Sequence, residues 1–245
     1  MNIPKQASNQ TIDNLIAVVG CDGTGKSTLT HDLVRILSKE RPTEWRYLGL
    51  ISGESGEKIK ELPLIGPWLE RRLAKKSEKE QSMRNKTPVA WASVIMYGFS
   101  LWRKSNLKKV CALANSGTLV ISDRYPQTEI SGFHFDGPGI GIERAPSGLI
   151  HTLAEKEIAL YQEMAHTLPR MIIRLDIDIE TAYSRKPDHD YTELSDKIEV
   201  MQKLHYNGAH IVDIDARAPY NEVLEKALTA IHESFSASGV KTVQE

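Results

Sequence analysis

The chain has 245 residues, of which 40% are hydrophobic and 26% charged, with 31 Lys plus Arg against 32 Asp plus Glu. This length and balance suit a single soluble domain spanning residues 1–245 that buries its own core, and they exclude collagen-like, coiled-coil and disordered chains. The near-neutral charge argues against a general binder of nucleic-acid polymers. Two cysteines, Cys21 and Cys111, exclude a disulfide framework and point to a reducing, cytoplasmic setting. Residues 1–14 are polar and lack the apolar core of a secretory signal. The most apolar stretch, residues 89–102, is shorter than the roughly 20 residues that a bilayer span needs, so no transmembrane segment is expected.

Leu15-Ile16-Ala17-Val18-Val19 is a short apolar run ending at Gly20, which predicts a buried parallel strand. From Lys26 the period becomes helical: Leu29, Leu33, Ile36 and Leu37 share a face, and Pro42 closes the segment. Residues 45–50 predict a second strand. Residues 53–88 read as an insertion, apolar and proline-broken over 62–69. Arg71, Arg72, Lys75, Lys76, Lys79, Arg84 and Lys86 follow, opposed only by Glu78 and Glu80. Such a stretch suits a solvated basic helix, or a cover over an acceptor, an anionic lipid surface or a partner. Pro88 opens a long helix expected to end at Gly117. Third and fourth strands are predicted over 119–122 and 171–175, helices over 149–166, 179–185 and 195–206, a fifth strand over 211–214 and a last helix over 221–234. Strands alternating with helices predict an α/β fold with a parallel sheet of about five strands and helices on both faces. Ligands bind such sheets at the carboxyl ends of the strands.

Gly20-Cys21-Asp22-Gly23-Thr24-Gly25-Lys26-Ser27 matches G-x-x-x-x-G-K-[ST] in full, between an apolar strand and an amphipathic helix. Glycines let successive backbone N–H groups turn toward phosphate oxygens, and the helix N-terminus adds its dipole. The loop, with Gly20, Asp22, Gly23, Thr24, Gly25, Lys26, Ser27 and Thr28, therefore points to a nucleoside triphosphate. In it Lys26 reaches the terminal phosphates and Ser27 ligates Mg²⁺. Asp123-Arg124-Tyr125 follows the third strand directly. A carboxylate there supplies a second hold on Mg²⁺, and the guanidinium of Arg124 is a fixed fork for bridging donor and acceptor phosphates.

GCDGTGKST over Gly20 to Thr28, together with Asp123-Arg124-Tyr125, resembles the thymidylate kinase-like group of nucleotide kinases. The resemblance extends loosely over most of the chain. It implies a three-layer P-loop NTPase fold with a lid, a cytoplasmic transferase that uses ATP with Mg²⁺, and a small-molecule acceptor. Residues 179–186 look like that family's helix into its lid, here residues 185–197, and Ile214-Asp215-Ala216 resembles the segment near which the adenine ring is held. The loop carries no basic residue at Gly23 or Thr24, which in this family goes with catalytic cations on the lid, here Arg185 and Lys186. The resemblance also allows a homodimer formed through helices.

On the acceptor side, Phe99 and Arg103 are four apart on one helix face. They are similar to the family's phenylalanine that stacks on thymine and its arginine that holds the base. The family's Arg-Glu-Pro after the second strand, which grips the acceptor phosphate, is replaced here by Leu50-Ile51-Ser52-Gly53-Glu54-Ser55-Gly56. The acceptor therefore stays open between a nucleoside monophosphate, thymidylate being the default, and a nucleoside or sugar-like metabolite. A monophosphate is already ionised near neutrality, whereas a hydroxyl needs a base, for which Asp22, Glu54 and Asp136 are candidates. A regulatory nucleotide switch is the third reading. Against it, Asn85-Lys86-Thr87-Pro88 lacks the aspartate of N-K-x-D, and Asp123 opens no D-x-x-G. His205 and His210 do not have the spacing of a zinc site.

Overall fold

The central apolar run buries both of its faces. Leu15, Ala17 and Val19 pack with Val110, Val120 and Ile172, whereas Ile16 and Val18 pack with Leu29, Leu33 and Ile173. Burial on both sides is the mark of an inner strand in a parallel sheet. The computed structural model describes residues 8–50, 90–145 and 147–239. The insertion 53–88 and Glu54 lie outside them.

Among the described residues the strands are β1 (Gln10–Gly20), β2 (Thr43–Tyr47), β3 (Leu119–Asp123), β4 (Thr167–Asp176) and β5 (Ile211–Asp215). They form one parallel sheet in the order β2-β3-β1-β4-β5. The helices are α1 (Lys26–Leu37), α2 (Ala90–Asn115), α3 (Gly148–Ala165), α4 (Ile179–Arg185), α5 (Tyr191–Lys203) and α6 (Tyr220–Gly239). On one face α1 packs through Leu29, Leu33 and Leu37, and α6 through Val223, Ala227 and Ile231. Each fully buried leucine there contributes about 1.5–3 kcal/mol. On the other face α2 brings Leu107, Val110 and Ala114, and α3 brings Tyr161 and Met164. The result is the three-layer α/β architecture of a P-loop NTPase.

Several boundaries differ from the sequence prediction. β1 begins at Gln10, ahead of the apolar run, because its polar first half pairs through the backbone with Thr167, Leu168 and Pro169 of β4. β2 ends at Tyr47, three residues before the predicted end. α5 starts at Tyr191, where Asp190 accepts a hydrogen bond from the Glu193 N–H at 2.9 Å. An aspartate in that position satisfies a free amide of the first helical turn. The predicted lid 185–197 is therefore a loop over 186–190 followed by the first turns of a helix. The far end of α5 is fastened to the sheet, since Arg174 on β4 donates to the carbonyls of Met201 and Leu204.

The crossover from β3 to α3 includes the 3-10 turns Phe133–Phe135 and Ile142–Arg144. It is held down by the buried Glu157, which accepts from the Ser100 hydroxyl at 2.6 Å and the Ile140 N–H at 2.8 Å. Among the described residues no helix is long and apolar enough to cross a membrane.

Candidate active site

The order β2-β3-β1-β4-β5 puts the ends of β1 and β3 side by side, with Val18 in register with Asp123. Here the chain leaves β1 at Gly20, turns through Cys21 to Gly25 and enters α1 at Lys26. Gly23 and Gly25 have φ of 88° and 84°, a region that favours glycine. A Cβ at Gly23 would also press on the carbonyl oxygen of Ala182, 3.0 Å away, so the loop and α4 are in direct contact. The Thr24 hydroxyl and the Lys26 ammonium both donate to the Cys21 carbonyl, at 2.8 and 2.7 Å. Burial, aided by the nearby Arg124, lowers the Lys26 pKa, and Asp22 and Asp123 oppose the shift. Burial likewise pushes the Cys21 thiol up to about 11 despite its closeness to Lys26.

Asp123 lies almost wholly buried at the end of β3. Its Oδ2 accepts from the Ser27 hydroxyl at 3.0 Å, while its Oδ1 is buried with no hydrogen-bond partner among the described residues. A buried carboxylate oxygen without a partner is costly unless a cation or donor completes it. A serine hydroxyl and a carboxylate are hard oxygen donors, which suits Mg²⁺ bound jointly by protein and phosphates. The residues present therefore fit that ion.

Arg124, the next residue, sits at φ 71°, in the left-handed region that non-glycine residues rarely occupy. Its guanidinium lies between two carboxylates, 3.3 Å from Asp136 Oδ2 and 3.5 Å from Asp22 Oδ1. Burial works against its charge, yet Asp136, Tyr47, Asp22 and Asp123 together raise its pKa further. Asp22 also accepts from the Lys197 ammonium at 2.7 Å, and Lys197 in turn pairs with Glu193 at 2.8 Å. Burial would disfavour the Asp22 carboxylate. Lys197, Lys26 and Arg124 outweigh that and hold it well below the usual carboxylate range.

The remaining predicted residues are distributed unevenly. Arg185, at the end of α4, donates to the carbonyls of Gly23 at 3.2 Å and Ala216 at 3.0 Å, which links the phosphate loop to the segment after β5. Lys186 begins the loop 186–190 and is exposed, as are Ser27 and Thr28 at the start of α1. Phe99 is half-buried against Met96, Ile140 and Ala154, in the wedge between α2, α3 and the crossover. Arg103 is fully buried, 0% exposed. It donates to Asp136 Oδ1 at 2.6 Å and to the Tyr161 hydroxyl at 3.4 Å, so its charge is spent inside the protein.

Sequence reasoning missed Lys197, Tyr47 and the pairing of Asp136 with two arginines. Tyr47 is in register with Asp123 across β2 and β3, and burial raises its hydroxyl pKa. The only local signal for Lys197 was the Glu193–Lys197 spacing of four on a helix. The cleft beside the loop is lined by Asp22, Arg124, Phe135, Asp136, Lys197 and Met201.

No protein-family model matches the chain. Over 220 residues it is 66% identical to a protein of Escherichia coli K12 named "Uncharacterized ATP-binding protein YghR", covering 90% of this chain and 87% of that one. The protein of the same name in a second Escherichia coli strain matches to the same extent. A third relative, "Uncharacterized ATP-binding protein YghS" of Escherichia coli K12, is 43% identical over 228 residues, covering 93% of this chain and 96% of its own. With two thirds of the aligned positions identical across nearly the whole length, the chain belongs to the family of the YghR and YghS ATP-binding proteins.

Proposed function

We propose that this protein is an ATP-dependent phosphotransferase, a P-loop kinase of the thymidylate kinase-like type acting on a nucleoside monophosphate or a related phosphorylated acceptor. The observation that carries the reading is the convergence of Lys26, Ser27, Asp123 and Arg124 on one loop mouth. Asp123 Oδ1 is left there without a protein partner. The ATP-binding relatives support the donor half of the reading.

In this mechanism the loop amides and Lys26 hold the β- and γ-phosphates, and Ser27 and Asp123 are the residues that would hold Mg²⁺. When bound, that ion neutralises phosphate charge. The γ-phosphorus changes partners in line: its bond to the β–γ bridging oxygen breaks, ADP keeps the electron pair, and a bond to the acceptor oxygen forms. Arg124, held at the mouth of the loop, places positive charge on the migrating group. Lys197 exchanges Asp22 for a phosphoryl oxygen. Arg185 lines the donor side next to Gly23, and Lys186 lies on the loop that excludes water.

The electrostatics favour an ionised acceptor oxygen. A monophosphate is already ionised and needs no base, and its oxygens can take over Lys197 and Arg124, the cations that Asp22 holds. One observation favours an acceptor other than thymidylate. Arg103, at the position of the family's base-holding arginine, is fully buried and directs both terminal nitrogens at Asp136 and Tyr161.

The test is ADP release from Mg·ATP against a panel of dTMP, dUMP, other monophosphates, nucleosides and phosphorylated sugars, with Lys26→Ala as the blank. Turnover that rises with one monophosphate is expected. Slow hydrolysis indifferent to every acceptor would overturn the kinase reading in favour of a nucleotide switch.

A further inference from the structure

Arg124 is the cation the proposed reaction leans on most, and its placement is unusual. Its backbone is in the left-handed region, and so is that of Asp136, at φ 64°. Residues kept in that region persist only where their surroundings over-determine them. For Asp136 those surroundings are explicit. It follows the turn Phe133–Phe135, whose preceding loop is knotted by one side chain: Gln127 accepts from the Glu129 and Ile130 N–H groups and donates to the carbonyls of Ile130 and Phe135. The Gln127 N–H closes onto the Asp136 carbonyl at 3.1 Å. A side chain at Gly137 would collide with the Ile130 carbonyl, so the chain packs closely there and needs glycine.

From this fixed point the Asp136 carboxylate serves two arginines. Oδ1 accepts from Arg103 on α2 at 2.6 Å, and Oδ2 accepts from Arg124 at 3.3 Å. The Asp136 carbonyl also accepts from Arg103, at 3.1 Å. One carboxylate shared by two guanidinium groups orients both without cancelling either. Arg103, with no exposure and a tyrosine ring beside it, is locked. Arg124 keeps its remaining charge facing Asp22 and the phosphate loop.

We propose that Asp136 is a positioning residue for phosphoryl transfer: anchored by Arg103, it aims the Arg124 guanidinium at the mouth of the phosphate loop. This rests on the phosphotransferase reading above. The distance from Asp136 to Arg124 is what makes the role specific. Among the described residues the other carboxylate within ion-pair reach of Arg124 is Asp22, at 3.5 Å, and it is already paired with Lys197.

Two readouts test it, and the first needs no activity. The Nη1–H resonance of Arg124, assigned through Arg124→Lys, reports its hydrogen bond to Asp136. It is expected to be sharp and shifted in the wild type and to move to the free-arginine position in Asp136→Asn. Persistence of the wild-type signal in that variant overturns the proposal. The second readout is ADP release from Mg·ATP alone. Asp136→Asn should lower it about 10²-fold, as a small misplacement of a reacting group does, with Mg·ATP affinity changed by less than about threefold. In an Arg124→Ala background the same substitution should change turnover by less than about twofold, because the two residues act as one unit. Additive losses would instead assign Asp136 a merely structural role. Asp136→Asn leaves Arg103 buried with an uncompensated charge, so Arg103→Gln/Asp136→Asn serves as the second variant. It should fold and bind Mg·ATP yet show the same loss of turnover and of the Arg124 signal. If the wild type releases no ADP under any condition, the phosphotransferase reading fails, and the Arg124 resonance alone decides whether Asp136 orients that side chain.

Discussion

Replacing Lys197 by methionine removes the cation that ties α5 to the phosphate loop. The stem length is kept and only the charge and its hydrogen bonds are lost. In the structure the ammonium lies 2.7 Å from Asp22 Oδ2, with the two side chains 13% and 22% exposed. Opposite charges at such a separation attract by about 6 kcal/mol at an effective dielectric of 20. Desolvation of both groups and the ordering of a long side chain offset most of that. The pair retains access to water, so a net coupling of about 1–2 kcal/mol is expected. For a chain of this size each kcal/mol moves the melting temperature by about 2–4 °C, which predicts a drop of roughly 2–8 °C for Lys197→Met. The clean assay is a double-mutant cycle with Asp22→Asn, read by urea unfolding of the nucleotide-free protein at pH 7. Residues that do not interact add within about 0.3–0.5 kcal/mol, so a coupling energy inside that margin would refute the bridge from α5 to the loop.

Three further outcomes are expected. Arg185→Ala should lower ADP release roughly 10³-fold, the order of magnitude seen for cations that stabilise the transferring group. Turnover within a few-fold of wild type would reduce Arg185 to a brace between Gly23 and Ala216. Acidification should erase the stabilising contribution of Asp22. Its folded pKa lies below the value of about 3.9 in an unfolded chain, so the contribution is complete above that value and is lost as pH falls through the folded pKa. Calorimetry of wild type and Asp22→Asn should show a constant melting-temperature gap near neutrality that closes on acidification, and a gap that widened instead would contradict the assignment. With its thiol pushed up to about 11, Cys21 should be alkylated by iodoacetamide roughly 10²-fold more slowly than a free cysteine at pH 8, as followed by mass spectrometry of the folded protein.

The parts of this molecule legible in sequence are those whose determinants are contiguous. The buried strands announce themselves as apolar runs because both faces are covered. The phosphate loop is eight successive residues whose types are dictated by backbone geometry, and Asp123 follows its strand directly. What was hidden is set by long-range partners. The first half of β1 is polar and is a strand only because β4 offers it a backbone ladder. The start of α5 was displaced because Asp190 and Glu193 sit in a polar stretch that reads as loop, although an aspartate three residues before a glutamate is a helix-start signal. Lys197 meets Asp22 across 175 positions, a distance over which no spacing rule operates. Helical periodicity correctly puts Phe99 and Arg103 on one side of α2. It has no means of seeing that Asp136, brought back by the crossover, has already claimed the arginine.

These contacts also bear on which acceptors can enter. On the proposed reading, the space at the loop mouth is reached only when Lys197 and Arg124 give up Asp22 as a partner. Hydrogen bonds from charged groups to phosphoryl oxygens are worth about 1.5–3 kcal/mol each, enough to replace a pair whose net coupling is about 1–2 kcal/mol. A dianionic phosphate therefore offers both cations a replacement partner that offsets the loss of their pairing with Asp22. A neutral nucleoside or sugar offers only hydroxyls to two cations that already hold a carboxylate, so it brings no charge to replace that pairing. The same pair that closes the loop thus discriminates by charge. Lys197→Met should narrow that discrimination, raising the relative use of uncharged acceptors as it lowers turnover with phosphorylated ones, and ADP release across the acceptor panel measures both.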